Sequence, residues 1–334
     1  MTMQLEQTPL QTVKRSASGR DRFVLLGLLA LVIIGLIGAA AATGWQETLD
    51  QIAKLSALQV VLLLLLSLAN YGLRGLRWHL FSGHLGLKLP LLTNFIHFLG
   101  GFAMTVTPGR VGELVRMRWI ARETGTAFER SAPLVLVDRA SDLAAMAILM
   151  GAALLLSSTE ISGGFPVVIL ALLAAFVATR PQLLASVAKL GHRLTGRLPR
   201  LFARVRRAAR ALEPFSKGGA LFKGSVLALF GWLAEGVAFY LLLHWMGAET
   251  TMSTAIAIFL FSTLAGGLTG APGGVGGAEA AMIALLSLEG VPLAMSVPAT
   301  AIIRLTTLWF AILIGLAVFP VAERHSKKVQ HDLE

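Results

Sequence analysis

Phe23–Ala42 runs for twenty residues without a charged side chain, and few folds are open to a stretch of that kind. A helix of ~20 apolar residues matches the ~30 Å hydrocarbon core of a bilayer. Inside hydrocarbon a backbone must satisfy its own hydrogen bonds, which restricts a spanning chain to helices or closed barrels. Five more stretches qualify: Leu58–Leu73 running on through Leu80, Ala132–Leu156, the shorter Phe165–Thr179, Ser225–Met246 and Val297–Val321. Phe23–Ala42 is too long, and too far from a small-residue cleavage pattern, to read as a removable signal peptide. Apolar residues make up 55% of the chain and charged ones 14%, with a mean hydropathy of +0.73. A 35.5 kDa globule cannot hide that much apolar surface from water. The expectation is an all-α polytopic membrane protein with six transmembrane helices. The chain has no cysteine, which excludes disulfides, thiol catalysis and thiolate metal sites.

Basic residues orient the spans, because loops rich in Lys and Arg stay cytoplasmic. Lys14, Arg15, Arg20 and Arg22 put the N-terminal arm, residues 1–22, inside. Glu47 and Asp50 outweigh Lys54 in the next loop, so it lies outside. Arg74, Arg77 and Lys88 bring the chain back in, and after Leu91–Thr107 comes a second basic cluster of Arg116, Arg118, Arg122 and Arg130. A simple span would strand one of these clusters outside. A re-entrant hairpin over 91–119, turning at Pro108-Gly109, removes the conflict. The loop 180–223 carries eleven Lys and Arg against Glu213 alone and reads as cytoplasmic. Ser253–Leu288, flanked by Glu249 and Glu289, then reads as a second hairpin from the opposite face. The C-terminal residues 322–334 return to the cytoplasm, so both termini lie inside.

On this reading the chain is an inverted-topology repeat. Residues 23–156 hold two spans, a hairpin and a span. Residues 157–321 hold a span, the basic loop, a span, the hairpin 253–288 and a final span. The two hairpin turns also match locally: Pro108, Gly109 and Gly112 in the first, and Pro272, Gly273, Gly274 and Gly276 in the second. Proline ends the incoming half-helix, and glycines let the backbone reverse without a side-chain clash. Paired Gly/Pro-interrupted segments at corresponding positions of two halves point to a transporter's binding site. The start of a returning half-helix offers free N–H groups and a positive dipole end to an anionic headgroup.

Ionisable side chains at membrane depth cost ~2.5–3.5 kcal/mol each on insertion scales, so they are retained for a purpose. The reading places Glu113, Asp138, Asp142, Glu235 and Glu279 there, with Arg110, Arg139 and Arg304. Together with Arg116 these are the candidate substrate-binding residues. Asp142 and Arg139 are three apart and can pair on one helix flank. Arginine forks suit phosphate, and the carboxylates can supply counter-charge, amine contacts or a proton path. His97 and His244 have no ligand-spaced partners and read as core or interface residues. Gly274–Glu279 half-resembles a dinucleotide loop, but no strand precedes it. Residues 198–214 alternate Leu198, Leu201, Phe202, Val205 and Leu212 with arginines, a basic amphipathic helix suited to an anionic lipid surface. Nothing points to nucleic acid, a metal or a cofactor; membrane lipids are the expected partners, with a homo-oligomer also open.

The segments Thr107–Arg116, Val137-Asp138-Arg139 and Ala271–Ala280 resemble the transmembrane region of lysylphosphatidylglycerol synthase and its flippase-like, UPF0104-type relatives. The resemblance implies a lipid-headgroup translocating unit of the bacterial inner membrane. It carries to Pro108, Gly109, Arg110, Gly112, Glu113, Arg116, Asp138, Arg139, Pro272, Gly273, Gly274, Gly276 and Glu279. Bifunctional members carry a soluble aminoacyl-transferase domain, whereas thirteen residues follow Val321 here, so aminoacylation is not expected. The expected function is therefore an inner-membrane flippase or transporter for a phospholipid, aminoacyl-lipid, glycolipid or hopanoid-type lipid. The alternative is a membrane-embedded enzyme or accessory subunit acting on lipid-linked intermediates.

Overall fold

A computed structural model describes residues 50–51, 53–107, 114–126, 128–157, 163–195, 205, 209–215 and 219–333. Every regular element among them is helical. In chain order these are α1 (Ala57–His84), α2 (Leu91–Gly100) with a 3-10 extension (Gly101–Val106), α3 (Val115–Thr124) and α4 (Phe128–Leu156). Then come α5 (Gly164–Thr179), α6 (Pro181–Thr195), α7 (Gly219–Trp245), α8 (Met252–Leu268), a 3-10 elbow (Pro272–Gly274) and α9 (Gly277–Leu288). The last rod is α10 (Leu293–Arg304), a π-helical turn (Leu305–Trp309) and α11 (Phe310–Leu333).

Local chemistry sets several of these ends. Ser56 caps α1 in a reciprocal box, its hydroxyl accepting from Gln59 N while the Gln59 side chain accepts from Ser56 N. Thr251 caps α8 through Thr254 N. Pro90 and Pro292 precede α2 and α10, where the missing N–H is harmless.

Four helices are long and apolar enough to cross a membrane: Ala57–His84, Arg130–Leu156, Gly219–Trp245 and Leu293–Gln330. A fifth crossing is available if the bent pair Gly164–Thr179 and Pro181–Arg193 counts as one span. Their axes differ by 103°, a break that Pro181 enforces by withholding an N–H donor. The expected span Phe23–Ala42 and the N-terminal arm lie outside the described residues. So do residues 108–113, which hold the first elbow's Pro108, Gly109, Arg110, Gly112 and Glu113.

The packing partners repeat between the halves. Helix α2, the first arm of the first candidate hairpin, packs on α11, the last rod of the second half. Helix α8, its counterpart, packs on α4, the last long helix of the first half. The pairs α1–α2 and α7–α8 correspond in the same way, as do α3–α4 and α9–α10, and α1 packs along α7. The 3-10 extension Gly101–Val106 touches the 3-10 elbow Pro272–Gly274, so this elbow meets the end of the segment that continues α2.

Close approach demands small residues at these crossings. A Cβ on Gly315 of α11 would stand 2.2 Å from Ala103 N and 2.7 Å from Phe102 C. On Gly274 it would stand 3.0 Å from the Gly266 backbone, and Gly273 and Gly274 have φ of 62° and 70°. The elbow is therefore glycine-dependent for both space and conformation.

The amphipathic stripe expected at 198–214 is only partly described, since residues 196–204 and 206–208 fall outside. Leu212 does not face a lipid surface: it is fully buried in a cluster with Phe81 and Phe215. Helix α6 carries an amphipathic pattern instead, with Leu183, Val187 and Leu190 exposed at helical spacing beside Lys189 and Arg193.

Candidate functional site

Two carboxylates on α4 anchor the interior. Asp138 and Asp142, four residues apart, share one helix face and are 1% and 3% exposed. Arg77 on α1 reaches Asp138 through Nε at 3.0 Å and Nη2 at 2.6 Å, and the same Nη2 lies 2.9 Å from Asp142. Arg74, one turn back, donates to Asp142 at 2.9 Å, and the Trp232 indole N–H from α7 donates to it at 3.0 Å. Sequence reasoning put Arg74 and Arg77 at the cytoplasmic edge; α1 instead carries them inward to meet Asp138 and Asp142. Their spacing of three on a helix already expected to continue to Leu80 was the available signal. The expected flank pair Arg139–Asp142 is present but long, at 3.9 Å, with the Arg139 side chain 31% exposed.

The second elbow is tied to α10. Arg304 donates through Nε to Glu279 at 2.5 Å and through Nη2 to the Gly273 carbonyl at 2.9 Å. The other Glu279 oxygen accepts from Gly276 N at 2.6 Å. A carboxylate thus does sit at the positive end of α9, and it is the chain's own Glu279. Arg304 then bridges that carboxylate to the elbow carbonyl, so one guanidinium fixes elbow, α9 and α10 together. Directly after Arg304 the helix widens into the π turn Leu305–Trp309. The Tyr71 hydroxyl donates to the Thr307 carbonyl in that turn, and Thr307 Oγ1 donates back to Ile303 O at 2.7 Å. Single π turns inside helices occur disproportionately at functional sites.

These elements line a small cavity of about 60 Å³. Its wall includes Tyr71, Arg74, Glu235 and Arg304, with Thr105 from the 3-10 extension of α2 and Thr263 from α8. Glu235 on α7 is 5% exposed. Of the sequence-selected residues, Glu235 and Arg304 line this cavity; Asp142 joins it through Arg74 and Trp232, and Glu279 through Arg304. Arg139 faces a neighbouring, larger groove.

Arg116 lies elsewhere. It is 2% exposed, with its guanidinium over the rings of Phe98 at 4.6 Å, Trp78 at 5.3 Å and Phe102 at 5.6 Å. Gly101 makes room for it, since a Cβ there would fall 1.9 Å from Arg116 Nε. Arg110 and Glu113 lie outside the described residues. Near the far end of α11, Glu323 accepts from Trp119 Nε1 at 2.7 Å, Arg118 at 2.9 Å and Arg122 at 2.8 Å, a hub that sequence reasoning did not single out. His97, read as a core histidine, is fully buried and pairs with Glu123 at 3.0 Å.

Long apolar helices packed around compensated interior charges define an integral multi-pass membrane protein. The chain belongs to the lysylphosphatidylglycerol synthase TM region family, which it matches over residues 24–315. Two relatives from Methanothermobacter thermautotrophicus, each named a UPF0104 membrane protein, are similar along nearly their whole length. One is 25% identical over 321 residues, covering 87% of this chain and 94% of the relative. The other is 26% identical over 322 residues, covering 89% and 92%. Both relatives are archaeal, so they carry no support for a bacterial inner membrane in particular.

Proposed function

We propose that this protein translocates lipid headgroups between leaflets by alternating access around two opposed re-entrant hairpins. The observation that carries the proposal is the contact between Gly101–Val106 and Pro272–Gly274 beside a cavity lined by Arg74, Glu235 and Arg304. Helices α3 and α9, of ten and twelve residues, rise about 15 and 18 Å, well short of a ~30 Å core. Arms that short turn back at membrane depth, where irregular backbone is tolerated only against protein or a polar cavity. The repeated packing of α2 on α11 and α8 on α4 supports two halves of inverted topology, which is the architecture of alternating access.

The full proposal has six spans, Phe23–Ala42 among them, with both termini cytoplasmic in a bacterial inner membrane. Arg304, Arg139 and Arg110 serve the phosphate, while Glu113, Asp138, Asp142, Glu235 and Glu279 provide counter-charge, amine contacts or a proton path.

The test is a leaflet-resolved assay of fluorescent phospholipid in proteoliposomes, with Arg110→Ala, Asp138→Asn and Glu235→Gln beside the wild type. The expected result is wild-type translocation lost at least tenfold in each variant. Equal scrambling in all four proteins, with headgroup chemistry performed by the wild type, would replace transport with an enzymatic role.

A further inference from the structure

Helix α5 meets α6 at a sharp corner with a local cause. Proline disfavours helical backbone in the residue before it, and Arg180, ahead of Pro181, is extended, with φ −106° and ψ 110°. The two helix axes diverge by 103°, so a helix leaving a membrane crossing this way runs close to the bilayer plane. The sixteen residues of α5 rise about 24 Å, roughly 6 Å short of a ~30 Å hydrocarbon core. Along α5, Phe165, Ile169, Leu173 and Phe176 are exposed, the surface of a helix that faces acyl chains. At its end the Arg180 guanidinium lies 5.2 Å from the Phe176 ring centroid. That pairing of a charged head with an apolar ring suits the boundary between acyl chains and headgroups.

Helix α6 divides its residues among three faces at helical spacing. Leu184 and Ala188 turn to the protein: Leu184 packs on the cluster of Phe81 and Phe215, and Ala188 is 4% exposed. Leu183, Val187 and Leu190 form a second, apolar face, 39–56% exposed. Gln182, Ser186, Lys189 and Arg193 form the third, and all four are exposed. A helix surrounded by water has no use for the second face, whereas a helix lying in a membrane interface uses all three. An immersion of ~5–10 Å also makes up the length that α5 lacks. The charge selects the kind of surface. Helix α6 holds no acid, and residues 180–223 carry eleven Lys and Arg against Glu213 alone, which draws them to an anionic leaflet.

We propose that α6 is an in-plane anchor on an anionic bilayer surface. Leu183, Val187 and Leu190 enter the boundary between headgroups and acyl chains, Lys189 and Arg193 lie among the lipid phosphates, and α5 alone makes the crossing. The bent pair is thus one span followed by one interfacial helix. This surface goes beyond the translocation reading and does not rest on it, because its occupant is the leaflet itself and not a transported molecule.

The chain has no cysteine, so single nitroxides report one position each. Val187→Cys, Leu190→Cys, Ser186→Cys and Lys189→Cys are labelled in the full chain and reconstituted in vesicles of phosphatidylcholine mixed with phosphatidylglycerol. Collision with oxygen, which concentrates among acyl chains, is expected to dominate at 187 and 190, at a depth of ~5–10 Å. Collision with an uncharged nickel chelate, confined to water, should dominate at 186 and 189. Phosphatidylcholine alone should lower the oxygen-to-nickel ratio at 187 several-fold. Lys189→Glu combined with Arg193→Glu should lower it alike in the mixed vesicles.

Nickel collisions dominating at all four positions would leave α6 in water, and oxygen dominating at all four would make it part of a crossing. Protection of 187 and 190 from both reagents would put a second copy of the chain on that face. Each of these outcomes overturns the anchor. A ratio at 187 that is equal in the two lipid compositions and unmoved by the charge reversal would overturn the preference for anionic lipid.

Discussion

Arg77 on α1 holds Asp138 on α4 with two nitrogens, at 2.6 and 3.0 Å, although 61 residues separate them and neither side chain is more than 1% exposed. Removing Asp138 leaves Arg77 only its contact with Asp142 at 2.9 Å, so that Arg74 and Arg77 share one carboxylate in a low-dielectric interior. That typically costs ~3–5 kcal/mol, more than the pair contributes net over an apolar replacement. Asp138→Asn is therefore expected to lower thermal stability in detergent by an amount in that range. Arg77→Lys should not rescue the fold, because an ammonium cannot present the same fork. Stability within about 0.5 kcal/mol of wild type in Asp138→Asn would mean that the pair is not formed.

Two glycine substitutions separate close packing from helix propensity. Gly315→Ala drives a methyl into the backbone of Phe102 and Ala103, and overpacking of that kind costs ~1–3 kcal/mol. Gly72→Ala on α1 meets nothing within 4 Å and should stabilise by ~0.5–1 kcal/mol through reduced backbone entropy. Unfolding curves of the purified variants should move in opposite directions.

The elbow clamp is expected to govern flux. In Glu279→Gln the side chain can still accept from Gly276 N but loses the ion pair with Arg304. Translocation should slow by roughly tenfold or more, equivalent to ~1.4 kcal/mol of barrier. Arg304→Lys should behave alike, since one ammonium is a poor substitute for a fork that meets Glu279 and the Gly273 carbonyl together. Wild-type rates in both variants would remove the clamp from the transport cycle.

What the sequence disclosed follows from how local each signal is. The second elbow was legible because Pro272, Gly273, Gly274 and Gly276 write their backbone requirement into adjacent positions. The long apolar helices were legible for the same reason. Asp138 and Asp142 stood out as charges in an apolar run, but their partners did not, because Arg74 and Arg77 belong equally well to a basic edge when read along the chain. Trp232 and Tyr71 gave no signal at all. An aromatic side chain in an apolar helix is unremarked until its partner, 90 residues away for Trp232 and 236 for Tyr71, is folded against it. Arg116 read both as one of a cytoplasmic cluster and as a substrate-binding candidate; only the rings of Trp78, Phe98 and Phe102 explain how its charge is buried.

Glu123, at the end of α3, links the two halves through His97 at 3.0 Å and His325 at 2.9 Å. Burial raises its carboxyl pKa, but hydrogen bonding and charge from His97 and His325 together outweigh that and hold it below the ordinary glutamate value. A folded-state value depressed in this way adds stability above the unfolded pKa, and that stability is lost as pH falls through the folded one. The stability gap between wild type and Glu123→Gln should therefore be full at mildly acidic pH and shrink below about pH 4.3. A gap that stays constant through that window would exclude the linkage.

The topology of the hairpins is open to direct chemistry, because the chain has no cysteine of its own. Single cysteines at Lys88 and Thr126 flank the first hairpin, and at Glu249 and Glu289 the second. With a membrane-impermeant maleimide on sealed, oriented vesicles, Lys88→Cys and Thr126→Cys should both label from the cytoplasmic side. Glu249→Cys and Glu289→Cys should both label from the other side. Opposite-side labelling within either pair, or all four positions reacting from one side, would contradict the account.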